Sequence, residues 1–119
     1  MIKSLVTLSI GILLSASVFA HGELGRTMKQ MKSALQQAYQ AQTVDDMKVA
    51  MGNMSSLVKE AKRDEYEGKN PAQFYQGLQD LTTAIDGIKV SLNKGDLNDA
   101  KLKLNKIDAL RKEYHKKTR

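Results

Sequence analysis

Two residues of this 119-residue chain are suited to chemistry together, Met28 and His115. Histidine occurs only at 21 and 115, and cysteine does not occur. An imidazole nitrogen and a thioether sulfur facing each other across one cavity can make two axial bonds to a haem iron. Such Met/His ligation favours electron transfer and raises the reduction potential. With both axial positions filled the iron keeps no open site for a substrate, so enzyme activity is not expected. No Ser/His/Asp set or Gly-rich phosphate loop offers another catalytic centre, and the carboxylates fall mostly at caps and surface positions. Both residues also have ordinary readings. Methionine on an apolar helix stripe is commonly core filler, and a histidine in a last helical turn among lysines commonly meets the helix dipole in solvent. Which reading holds depends on whether the fold brings 28 and 115 together.

The elements that would do so are helices. Apolar residues recur at three- and four-residue spacing, and a single proline, Pro71, interrupts the chain. A first helix over 24–42 carries the stripe Leu24, Met28, Met31, Leu35 and Ala38, with Tyr39 beside it. Thr43 is placed to cap a second helix, with Asp46 at its third position; its stripe is Met47, Met51, Met54, Val58 and Ala61, widened by Ala50 and Leu57. Polar residues 64–70 form the longest link. Asn70 as cap and Pro71 in the first turn then open a third helix, whose stripe Phe74, Leu78, Leu81, Ile85, Ile88 and Leu92 is the clearest in the chain. Gly95 suits the left-handed residue after that helix, and Asp96 caps a fourth, with Leu97, Ala100, Leu104, Ile107, Leu110, Arg111, Tyr114 and His115 on its inner side. Four helices of similar length with short links predict an all-α, single antiparallel up-down-up-down bundle. In that topology the start of the first helix and the end of the fourth share one end. At about 1.5 Å rise per residue, Met28 and His115 then lie at similar depth.

The first residues read differently. A basic start at Lys3, an apolar run over 5–19 and Val18-Phe19-Ala20 describe a secretory signal peptide cut after Ala20, too short for a membrane anchor and without a stop-transfer cluster. The expected domains are thus a leader over 1–20 and a four-helix-bundle domain over 21–119. The second is small and lacks the disulfides that exported domains of this size often use, so packing, a bound ligand or oligomerisation must support it. Without Lys3, 18 Lys and Arg stand against 13 Asp and Glu, a net charge of +5. Such a charge suits an acidic redox partner protein or an anionic membrane surface. Export argues against nucleic acid, and cleavage of the leader against stable membrane insertion; a monomer is expected.

The stretches Leu24-x-x-x-Met28-x-x-Met31-x-x-x-Leu35 and Arg111-Lys112-Glu113-Tyr114-His115-Lys116-Lys117-Thr118-Arg119 resemble the cytochrome b562 family. The Arg-x-x-Tyr-His spacing, the closing arginine, Phe74, Ala84-Ile85-Asp86 and the Lys94-Gly95 break fall at corresponding places, and the likeness covers 24–119. That family is itself a standard example of the up-down-up-down topology. The resemblance implies a periplasmic electron-transfer protein with one non-covalent haem b. It implies Met28 and His115 as axial ligands, and Arg111 beside the haem edge, able to meet a propionate. The absence of Cys-x-x-Cys-His agrees with non-covalent haem. A family phenylalanine lining the pocket corresponds to Leu78 here. A second reading is a copper- or protein-binding periplasmic bundle without haem. His21 and the soft thioethers of Met28, Met31, Met47, Met51 and Met54 would serve Cu(I).

Overall fold

The structure is a computed structural model; it describes residues 19–64 and 66–118, with side chains in the first helix from Leu24 onward. The expected leader, apart from the backbone of Phe19 and Ala20, and the side chain of His21 lie outside the described residues. Four helices follow one another: α1 Phe19–Gln40, α2 Val44–Arg63, α3 Pro71–Asn93 and α4 Leu97–Thr118. They form a four-helix bundle in which α1 packs on α2, α2 on α3 and α3 on α4, while α4 returns to α1 through the sparsest of the four seams. Among the described residues no helix is long and apolar enough to cross a membrane.

Local chemistry sets the helix ends. Thr43 is extended, and its hydroxyl oxygen accepts the Asp46 N–H at 3.0 Å. This cap requires the chain to leave α1 beforehand, so α1 ends at Gln40, short of the expected residue 42, and Ala41 N–H closes a tight turn on Ala38 at 3.2 Å. Its start at Phe19 also precedes the expected Leu24: no proline and no Ser, Thr, Asp or Asn cap stands between them, and the helix runs through Gly22. At the end of α3, Gly95 N–H bonds Leu92 C=O and Asp96 N–H bonds Ser91 C=O, both at 2.9 Å. Gly95 has φ +76°, which completes a Schellman motif. Asp96 Oδ1 then accepts the Asp99 N–H at 3.0 Å and starts α4.

Asn70 departs from its expected role. It has φ 54° and ψ 61°, and its side chain does not cap α3. The amide instead donates to Lys117 C=O at 2.7 Å, which ties the α2–α3 link to the end of α4. Tyr66 does the same from within that link, donating toward the carbonyls of Thr118 at 2.7 Å and Lys69 at 2.8 Å. The carbonyls at a helix end lack intrahelical donors, so these two side chains satisfy groups that would otherwise face water.

The expected stripes of α2 and α3 are buried throughout, Leu57 partly. In α4 burial is complete at Ala100, Leu104 and Ile107, then fades: Leu110 and Tyr114 are half-buried, and Arg111 and His115 are exposed. In α1, Leu24, Met31, Leu35 and Ala38 are buried, but Met28 is 39% exposed. Met28 therefore does not fill the core. The bundle is filled at the end holding Tyr39 and Leu104 and hollow at the other.

Candidate cofactor site

The hollow is a cavity of about 350 Å³ between α1 and α4, floored by α2 and α3. Its volume lies in the range of about 300–1,000 Å³ found for cofactor and small-molecule sites. Met28, Met31 and Leu35 line it from α1, Met54 from α2, Phe74, Leu78 and Leu81 from α3, and Ile107 and Leu110 from α4. These walls are apolar. The polar groups come from Lys29 and Lys32 on α1 and from Arg111, Tyr114, His115 and Thr118 on α4. The three sequence-predicted site residues, Met28, Arg111 and His115, thus line one cavity.

Neither the Met28 sulfur nor the His115 ring makes a hydrogen bond among the described residues, so both donors are open to a ligand. Arg111 Nη2 meets Asp108 Oδ1 at 2.9 Å, and Lys112 Nζ meets Asp108 Oδ2 at 3.3 Å. The Arg111 hydrogen bond, foremost, holds the Asp108 carboxyl below its ordinary value, against a smaller opposing effect of desolvation. Exposed pairs of this kind hold their partners weakly, so Arg111 can turn to another anion.

The wall carrying His115 is fixed through its neighbour. Tyr114 O–H donates to Asp80 Oδ2 at 2.7 Å, and Gln76 Nε2 donates to Asp80 Oδ1 at 2.9 Å. Tyr114, foremost, therefore lowers the Asp80 carboxyl, and the same hydrogen bond, followed by desolvation, raises the Tyr114 phenol. The Tyr114 ring lies directly on Gly77, where an added Cβ would come within 2.7 Å of ring carbon Cγ. Only glycine lets α3 and this ring approach so closely. One turn before Gly77 the floor is held by Tyr66, stacked on Phe74 with ring centroids 4.1 Å apart and planes 4° apart.

Sequence reasoning missed Gly77, Asp80 and Tyr66. Gly77 did leave a signal: glycine in a helix interior costs about 1 kcal/mol relative to alanine, which calls for a packing reason. The copper reading loses ground here. Met47 and Met51 are fully buried in the core and do not line the cavity.

The sequence model of cytochrome b562 matches residues 23–119. The chain belongs to the cytochrome b562 family. Members of that family are haem b-binding electron carriers. No curated protein matches the chain at a significant level. The cavity suits the cytochrome b562 cofactor on its donor chemistry: one free thioether, one free imidazole, apolar walls and cations at the mouth for carboxylates.

Proposed function

We propose that this chain is a periplasmic electron-transfer protein that holds one haem b non-covalently in the α1–α4 cavity. Met28 and His115 would hold its iron in this reading. The observation that carries it is the meeting of Met28, Arg111 and His115, from opposite ends of the sequence, in one apolar cavity. Bound haem supplies one-electron ferric–ferrous chemistry. Leu35, Phe74, Leu78 and Ile107 exclude water from the cofactor and keep it out of the chain's polar surface. Arg111, and Lys32 across the mouth, receive the propionates. The signal-like start over 1–20 supports export, and the absence of cysteine fits a group held by side-chain donors alone.

The test is an absorption spectrum of protein purified with haem supplied, oxidised and then dithionite-reduced. A Soret band with sharp α and β bands on reduction is expected. His115→Ala should abolish the low-spin spectrum, and Met28→Ala should leave high-spin iron and weaker binding. Protein that stays colourless through a haemin titration overturns the reading.

A further inference from the structure

Charge is divided unevenly between the two halves of the bundle. Residues 21–40 and 97–119, which hold α1 and α4, carry eleven Lys and Arg against four Asp and Glu, a balance of +7. Residues 41–96, which hold α2 and α3, carry seven against nine, a balance of −2. The cavity opens on the positive half. Lys29 and Lys32 stand at its mouth on α1, and neither forms an ion pair among the described residues. On α4, Arg111 and Lys112 share the single carboxylate of Asp108, and the two propionates that Arg111 and Lys32 would meet lower the +7 of this half only to +5. Lys116 is exposed and forms no ion pair among the described residues. The centre of this patch is the apolar mouth of the cavity, where Met28 is 39% exposed in the chain alone and the haem edge would stand in the loaded protein.

We propose that the α1–α4 face around the cavity mouth is the docking surface for an acidic redox partner protein. This rests on the haem reading of the cavity, since electrons would pass where the cofactor's edge meets the surface. An apolar centre ringed by charge is the anatomy of a protein interface. A molecule positive on one half and negative on the other orients in an anionic partner's field, which raises encounter rates by roughly 10–10³ and presents the mouth first. An anionic lipid surface would draw the same lysines but accepts no electron, so the protein partner is the occupant that uses the site.

The experiment is an NMR titration of ¹⁵N-labelled, haem-loaded protein with poly-L-glutamate at low salt, run in parallel with phosphatidylglycerol vesicles. Amide shifts should concentrate in residues 24–35 and 108–118 and vanish near 0.5 M salt, where charges are screened within about 5 Å. The double variant Lys112→Glu/Lys116→Glu, whose side chains lie outside the cavity lining, should weaken polyglutamate binding on the order of tenfold or more. Shifts centred on α2 and α3, no binding, or an unaltered affinity in the double variant would overturn the docking surface. Binding to vesicles without binding to polyglutamate would do the same and name lipid as the occupant. Failure of the haem reading is told apart by colour: a colourless protein still gives the charge map, and a red one without the map loses only the docking surface.

Discussion

The contact between Gly77 and Tyr114 makes a prediction whose sign runs against helix propensity. Replacing glycine by alanine inside a helix ordinarily stabilises by about 1 kcal/mol. At Gly52 in α2 nothing lies within 4 Å of the new Cβ, so Gly52→Ala should gain that amount. At Gly77 the Cβ would sit 2.7 Å from Tyr114 Cγ and 3.0 and 3.1 Å from its two Cδ atoms. Ordinary contact begins at 3.4 Å, so the ring must retreat by about 0.7 Å. It cannot do so freely, because its hydroxyl is bound to Asp80 one turn along the same helix. Overpacking of this kind costs about 1–3 kcal/mol. After the propensity gain, Gly77→Ala should destabilise by roughly 1 kcal/mol, and the two variants should differ by about 2 kcal/mol. At about 4–8 °C per kcal/mol for a domain of this size, their melting temperatures should separate by about 8–16 °C. Thermal unfolding of the haem-free proteins by circular dichroism measures this directly. Truncating the ring in Gly77→Ala/Tyr114→Ala should recover part of the loss beyond additivity. If Gly77→Ala melts as high as Gly52→Ala, the close approach does not constrain the bundle and the reasoning fails.

Three carboxylates, those of Asp80, Asp99 and Asp108, are held below their ordinary 3.8, chiefly by hydrogen bonds from Tyr114, Ser91 and Arg111 respectively. A lowered folded-state value stabilises above pH 3.8, and that contribution is lost as pH falls through the folded-state values. Melting temperature should therefore drop in acid, and less steeply in Tyr114→Phe; parallel curves between pH 2 and 6 would refute the Asp80 link. At the alkaline end the sign reverses. The Tyr114 phenol is raised above 10.0, so its contribution is full below pH 10 and lost as pH climbs through the folded-state value. Tyr66→Phe keeps the stack on Phe74 but removes the hydroxyl that reaches Thr118 and Lys69. It should cost about 0.5–1.5 kcal/mol and speed amide exchange at 114–118, while unchanged exchange there would show that the link does not hold the end of α4.

The parts of this fold legible in the sequence are those fixed by neighbours in sequence. Thr43, Gly95 and Asp96 carry their signals within four residues, and the α2 and α3 stripes mark a buried face by period alone. Asn70 was misread because a capping amide and a cross-bundle donor look alike until the partner, Lys117 C=O, is in view. Periodicity also placed Met28 on the apolar stripe without showing that the stripe there faces a gap. Spacing put Met28 and His115 at the same end of the bundle, and family likeness added Arg111. The floor of the cavity, from Met54 to Gly77, depends on how far α1 and α4 stand apart, and no local pattern records that distance.

The seam between α1 and α4 is fastened at one end, where Tyr39 bonds toward Leu104 and Asn105 and Lys101 Nζ reaches Tyr39 C=O at 2.9 Å. It is open at the other. The remaining seams join helices adjacent in sequence and can form as the chain emerges, while this one closes the longest loop in the fold and carries the largest entropic delay. A polypeptide still leaving a ribosome or threading a channel has three seams to make and no cavity. A chain stopped before Leu97, which lacks α4 and the fourth seam, should accordingly be helical yet take up no haemin in titration. Colour in this protein would then serve as a certificate of arrival, issued only to molecules whose far ends have met.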